Sequence, residues 1–335
     1  MTAPLLQVRN LAKTFGGTGG FFSRAQPLVS AIDNVSFDLH DGEVLGIVGE
    51  SGCGKSTLAK LLLGLLREND GSITLDGRQV SGLPPREARR LRSDVQYVHQ
   101  DPGAALDPWW RVGNTLHETM RIHGISDAKE RETRISEVLE AVGLSGDFVN
   151  RYPHELSGGQ QRRIGLARTL ALRPRIILLD EPTSGLDLSV QATVLRLMND
   201  LRERYKLTYI LISHDLSVVH RMCDRIAVMY LGRIVELGET EAVFGSPAHP
   251  YTKALIGSAP KLVRDDTSVE LIQGDPPDAT NIPSGCAFRS RCPLAIDSCA
   301  ATKPELEEIS ASHRIACPPE LRRLTNGPAA SVSSL

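Results

Sequence analysis

Apolar and polar positions follow two periods along the first 255 residues. Val44–Val48 (VLGIV), Ile176–Leu179 (IILL) and Tyr209–Ile212 (YILI) are short apolar runs bounded by glycine or polar residues. Such runs read as strands buried on both faces of a parallel sheet. Thr57–Leu66 carries leucines at 58, 61, 62, 65 and 66, which is helical spacing. Ile226–Leu237 (IAVMYLGRIVEL) reads as a hairpin turning near Gly232. Between Val95 and Tyr152 the strand pattern fades, and Leu116–His123 and Arg134–Val142 read as helices. The expectation is an α/β core with a helical insertion over about 95–170, and a glycine-rich loop at Gly16–Pro27. From residue 257 the chain turns rich in proline and cysteine. The expected division is a main domain over 5–256, an appendage over 257–325 and a disordered tail over 326–335.

Composition narrows the class. The 335 residues are 41% hydrophobic and 23% charged, with a net charge of -2. That supports a sizeable core and argues against non-specific nucleic-acid binding. Met1–Asn10 lacks a basic start and an apolar run, so no export signal is expected. The longest apolar stretch, Leu58–Leu66, is short and broken by Lys60, so no membrane span is expected either. Any membrane role would come through a partner.

The segment Gly49–Thr57 (GESGCGKST) fits the phosphate-loop pattern, with an apolar strand before it and an amphipathic helix after it. Gly49, Gly52 and Gly54 let the backbone curl, so that amides of Glu50, Ser51, Cys53 and their neighbours converge on phosphate oxygens. Lys55 would reach the β- and γ-phosphates, and the Ser56 hydroxyl would ligate Mg²⁺ beside Thr57. The loop implies a P-loop NTPase fold. Cys53 is expected to pack beside the loop.

The strand Ile176–Leu179 ends in two carboxylates. Asp180 is placed to face Mg²⁺ or its bound water, and Glu181 to polarise an attacking water as general base. Gln100, after Val95–Val98, and His214, closing YILISHD, fall at the sheet edge where a nucleotide binds. Both are candidates to contact the γ-phosphate, its water or the metal.

A second anion site lies a hundred residues from the first. In LSGGQQRR, Leu156–Arg163, Ser157 can cap a helix, and Gly158 and Gly159 allow close approach of backbone to phosphate. The order GESGCGKST, Gln100 in HQDP, LSGGQ, LLDEPTSGLD and His214 in SHD resembles the ATP-binding subunit of an ABC transporter. The resemblance covers about residues 5–255. It implies that Ser157, Gly158, Gly159 and Gln160 bind the γ-phosphate held by another subunit's loop, so that two such domains face each other head to tail. It places Asp187 at that seam and assigns Phe15 to stacking on adenine, with a core role as the alternative. The helical insertion would receive the membrane subunits. The implied fold is α/β: a P-loop NTPase core with a parallel sheet, an antiparallel β subdomain, the helical insertion and the cysteine-containing appendage.

HQDPGAALDP, the run from Cys223 to Leu255 and DPPDATNIPSGCAFRSRCP, Asp275–Pro293, resemble the oligopeptide/dipeptide importer group, second ATPase subunit type. The implied function is an ATPase that energises peptide import from the cytoplasmic face of the bacterial inner membrane. Its implied partners are a second ABC ATPase subunit, identical or different, two transmembrane permease subunits and, indirectly, an extracytoplasmic solute-binding protein. No nucleic-acid partner is expected. Import of nickel or another small solute, and a soluble non-transport ABC ATPase, are the alternatives.

Cys286, Cys292, Cys299 and Cys317 crowd the appendage with spacing C-x5-C-x6-C-x17-C. Four thiolates suffice for zinc or an iron–sulfur cluster. Common zinc modules use closer pairs, and the resemblance favours a 4Fe–4S cluster; zinc or metal-free thiols are the alternatives. Arg289, Arg291 and Arg314 are expected to be solvated or paired locally.

Overall fold

A computed structural model describes residues 3–17, 26–84, 87, 93–99, 106–258, 274–275 and 277–321. The strands are β1 (Leu6–Gly17), β2 (Gln26–Leu39), β3 (Val44–Val48), β4 (Asp70–Leu75), β5 (Arg78–Gln79), β6 (Val95–Val98), β7 (Ile176–Asp180), β8 (Thr208–Ile212), β9 (Arg225–Tyr230), β10 (Arg233–Glu239), β11 (Glu307–Ser310) and β12 (His313–Ile315). They form a four-stranded sheet, β2-β1-β4-β5, and an eight-stranded sheet, β11-β12-β10-β9-β3-β8-β7-β6. The small sheet is antiparallel throughout. In the large one β9, β3, β8, β7 and β6 run parallel.

The apolar runs are strands because both faces of the large sheet are covered. Along β3, Val44 and Val48 join one hydrophobic cluster, and Leu45 and Ile47 join the other. This is the two-residue alternation of a pleated strand, with neither face left for water. Leu58, Leu61 and Leu62 of the helix Lys55–Leu62 pack into the second cluster with the small sheet. The first cluster contains Leu116, Leu139 and Ile164, from the helices Val112–Ile122, Ala128–Ala141 and Gly158–Leu170.

Strand pairing bounds three segments differently from the sequence pattern. Val95–Val98 pairs in parallel with β7, residue for residue from Val95↔Ile176 to Val98↔Leu179. It is the edge strand of the core, so the helical segment starts later than residue 95. The appendage is not a separate body: β12 pairs with β10 through Glu236↔Ile315 and Leu237↔Arg314, adding two antiparallel strands to the main sheet. Cys286, Phe288, Cys299 and Cys317 sit in the first cluster with the main domain's residues. The expected loop at Gly16–Pro27 shrinks at both ends, since β1 runs to Gly17 and β2 begins at Gln26. Residues 18–25, and the tail from 326, lie outside the described residues.

Candidate nucleotide site

The phosphate loop joins β3 to the helix Lys55–Leu62. Its curl needs glycine at two places. Gly49 has φ 152° and a Cβ there would stand 2.2 Å from the Met229 carbonyl oxygen. Gly54 has φ 109° and a Cβ would stand 2.4 Å from the Ala31 oxygen. Lys55 is buried, with Nζ donating to the carbonyls of Gly49 at 2.6 Å and Glu50 at 2.9 Å. The lysine is thus held across the loop by contacts that a phosphate oxygen can replace.

A cleft of about 500 Å³ opens over this loop. Its wall includes Ser51, Gly52, Gly54, Lys55, Ser56 and Thr57 from the loop, Phe15 from β1, and Asp180, Glu181 and His214. Phe15 is 39% exposed, and Lys13 Nζ lies 5.5 Å from its ring centroid. An open aromatic face at the rim suits stacking on a base; the alternative, a core phenylalanine, does not describe it.

β7 and β8 are parallel neighbours, and their ends bring Glu181 and His214 together. Glu181 Oε1 lies 2.7 Å from His214 Nδ1 and accepts the His214 backbone N–H at 3.1 Å. Glu181 has φ 48°, a left-handed conformation that costs about 1–2 kcal/mol outside glycine. Asp180 accepts a hydrogen bond from the Tyr97 hydroxyl of β6. Burial, then that bond, pushes the Tyr97 hydroxyl well above its ordinary range, so it stays a donor. No local signal marks Tyr97 in the sequence; its meeting with Asp180 follows from the pairing of β6 with β7.

Ser56 and Asp180 share the cleft and offer hydroxyl and carboxylate oxygens, the hard donors that suit Mg²⁺. Gln100 lies outside the described residues. Cys53 is buried, its thiol raised by burial and 3.7 Å from Lys55 Nζ. It lines the underside of the loop rather than the cleft.

The second anion motif stands apart from this cleft. Ser157 caps the helix Gly158–Leu170 in a capping box: its Oγ accepts from Gln160 N at 3.3 Å, and Gln160 Oε1 accepts from Ser157 N at 2.9 Å. Gly158 and Gly159 are exposed, and a Cβ on either would meet nothing within 4 Å. Among the described residues nothing requires glycine there. Asp187 caps the helix Leu188–Tyr205, accepting from Ser189 N and Val190 N. The Ser189 hydroxyl holds its carboxyl below the usual range. The next residue, Leu188, is 83% exposed.

The four appendage cysteines form no disulfide among the described residues. Among those residues no group of three or more His, Cys, Asp or Glu side chains is placed to hold a metal ion. Burial raises the Cys286 thiol and pushes Cys292 up to about 11. This arrangement gives the expected iron–sulfur cluster no support. The cysteines pack as small apolar residues in or against the first hydrophobic cluster, with Cys286 N–H donating to the Cys299 carbonyl at 2.7 Å.

One arginine expectation is also overturned. Arg291 is neither solvated nor paired locally: it forms an ion pair with Glu50 of the phosphate loop at 2.8 Å, and its side chain is 6% exposed.

Phosphate loop, paired strand-end carboxylates and histidine, and a capped glycine pair on a separate helix define a nucleotide-binding domain of the ABC type. The ABC transporter family matches residues 32–184, and the oligopeptide/dipeptide transporter C-terminal region matches 235–299. A putative peptide import ATP-binding protein of Brucella ovis is 47% identical, over 94% of this chain and 97% of that protein. The oligopeptide transport ATP-binding proteins AppF of Bacillus subtilis and OppF of Escherichia coli are each 43% identical, over 93% of this chain and 96% and 95% of theirs. Among solved structures, cbiO1 from Clostridium perfringens, part of an ABC transporter complex, superposes with TM-score 0.63 and 26% identity, covering 72% of this chain and 91% of that one. A dimeric post-hydrolysis state of the cassette MJ0796, bound to ADP and phosphate, gives 0.60 and 28%, covering 70% and 98%. The chain belongs to the oligopeptide/dipeptide transporter family of ABC ATP-binding proteins.

Proposed function

We propose that the chain is the ATP-hydrolysing subunit of a peptide importer. One observation carries the chemistry: a single cleft gathers Phe15, Lys55, Ser56, Asp180, Glu181 and His214. In this reading Phe15 stacks on adenine, the loop amides and Lys55 hold the phosphates, and Glu181 takes the proton of the attacking water. Glu181 holds His214 through the paired contacts described above, placing it to contact the γ-phosphate, its water or the metal. Ser56 and Asp180 would hold Mg²⁺, which when bound offsets phosphate charge. The names of the relatives support peptides as cargo over nickel or another small solute.

The capped helix at Ser157 supports a head-to-tail dimer. Its exposed glycines at the helix N-terminus suit a phosphate presented by a second ATPase subunit. That a cassette similar to this chain, MJ0796, is dimeric supports a dimer. Among the described residues no helix is long and apolar enough to cross a membrane. Transport therefore calls for permease subunits, against which this chain would sit peripherally at the cytoplasmic face, with an extracytoplasmic binding protein supplying solute.

The test is capture of a tagged copy from detergent-solubilised membranes, with mass spectrometry of what accompanies it and MgATP hydrolysis by the complex. Two polytopic membrane proteins, a second ATPase and hydrolysis are expected. Ribosomal or DNA-associated proteins, with the chain absent from membranes, would overturn the transport reading and leave the ATPase chemistry standing.

A further inference from the structure

The C-terminal region touches the rest of the chain in two different ways. Some contacts are exposed: Lys303 pairs with Asp33 at 2.9 Å, and Asn34 donates to Glu305 at 3.1 Å. Contacts of this kind contribute little to stability. The contact of Arg291 is of another kind. Its Nη1 and Nη2 donate to the two carboxylate oxygens of Glu50 at 2.8 and 3.0 Å, and Nη1 also donates to Tyr230 Oη at 3.3 Å. The guanidinium fork matches a carboxylate in geometry as well as charge. The Glu50 side chain is 25% exposed, so the pair is partly withdrawn from water.

Glu50 is the second residue of the phosphate loop, and every polar group it has is held. Its N–H donates to Tyr251 Oη at 2.9 Å. Its carbonyl accepts from Lys55 Nζ at 2.9 Å and from Cys53 N–H at 3.3 Å. Its carboxylate is held by Arg291. The Tyr251 ring packs on Tyr230 and on Phe288 of the C-terminal region, with centroids 4.7 and 5.4 Å apart. The floor beneath the first turn of the loop is therefore built partly from residues 288 and 291.

Charge makes this arrangement consequential. A loop that receives a polyanion carries a carboxylate at its second position. Left unpaired, that carboxylate would repel the phosphates. Paired with Arg291, it is neutralised, and Glu50 does not line the cleft.

We propose that Arg291 is a positioning residue for nucleotide binding: it neutralises Glu50 and holds the first turn of the phosphate loop. ATP affinity then depends on the docked C-terminal region. The proposal rests on the reading that GESGCGKST holds the phosphates.

The experiment is equilibrium binding of MgATP to the purified full chain, with the melting temperature measured for each variant. Arg291→Met keeps the apolar stem and strands the Glu50 carboxylate; it is expected to weaken binding about tenfold or more. Arg291→Lys keeps charge without the fork and is expected to fall between Arg291→Met and the unaltered chain. Adding Glu50→Gln to Arg291→Met is expected to restore most of the affinity, because no unpaired carboxylate remains. Lys303→Ala removes another contact of the C-terminal region and is expected to bind as the unaltered chain does. In the assembled transporter, Arg291→Lys should raise the KM for ATP with kcat at saturation retained. Unchanged affinity in both Arg291 variants, or no recovery in the double variant, would overturn the proposal and leave Arg291 a purely structural contact. Lys55→Ala is the separate control: wild-type affinity there would refute the phosphate-loop reading itself. If Arg291→Met does not fold, Arg291→Lys and its combination with Glu50→Gln carry the test.

Discussion

Glu181 holds His214 at two points, the ring through Nδ1 at 2.7 Å and the backbone through N–H at 3.1 Å. The Glu181 side chain is 17% exposed and that of His214 69%. The carboxylate is the fixed member, tied also through its backbone N–H to the Ile212 carbonyl at 2.9 Å. Glu181→Gln keeps an oxygen for the His214 N–H and cannot take a proton. MgATP affinity should stay near that of the unaltered chain, while phosphate release falls about 10²–10⁴-fold. His214→Ala loses only the ring contact and should reduce kcat less. The two changes together should cost little more than Glu181→Gln alone, since the residues act as one unit.

The Tyr97 hydroxyl occupies part of Asp180's accepting capacity. Tyr97→Phe should cost about 1 kcal/mol of stability. Its more specific effect is on the ion: with the carboxylate released, the Mg²⁺ concentration giving half-maximal hydrolysis should fall. A magnesium titration at saturating ATP measures it. No change in that midpoint would remove Asp180 from the ion's surroundings.

Gly158 separates folding from assembly. A Cβ there meets nothing within 4 Å among the described residues, and alanine is the better helix former. Gly158→Ala should therefore leave the melting temperature of the free chain unchanged or slightly higher. ATP-driven dimerisation, followed by light scattering with Glu181→Gln to block hydrolysis, should weaken. Undisturbed dimerisation would argue against close approach of phosphate at this turn.

Burial holds the His249 imidazole down to about 4, against its ordinary 6.5, despite the opposing pull of Glu236. Its Nδ1 accepts from Tyr251 N–H at 3.1 Å, which requires that nitrogen unprotonated. Between pH 6.5 and about 4 the unfolded chain binds a proton at this site that the folded chain does not. Stability should therefore decline as pH falls through that window and level off below it. His249→Asn keeps a side-chain acceptor for the helix Pro250–Gly257 and removes the titration. Its melting temperature should change less steeply across the same window.

Much of the site was legible from contiguous residues. The phosphate loop works through backbone geometry, and glycines at fixed offsets between an apolar run and a leucine-spaced helix announce that geometry directly. The Ser157 helix cap is local and was legible for the same reason; the reciprocal bond from Gln160 came with the structure. The strand runs could be read because covering both sheet faces removes every polar position. Val95–Val98 is strand-like in the sequence, but four residues are too few to fix where the strand ends and the helical segment begins.

Side-chain partners across the fold were decided by tertiary structure alone. Glu181 meets His214, and Tyr97 meets Asp180, because strand order places those strand ends side by side. Strand order is set by how whole elements pack, and no local pattern encodes it. Arg291 reads in the chain as one of three arginines near cysteines. It becomes buried and bound to Glu50, 241 residues away, only because β12 adds to β10 and carries the C-terminal region beneath the loop. The cysteines show the converse. Their number and spacing suggested ligands, and only the fold decided that Cys286, Cys299 and Cys317 are buried in the first hydrophobic cluster while Cys292 packs partly buried against it. The sequence alone determined which chemistry the chain carries; the packing of distant elements decided which groups share charge and which are kept from it.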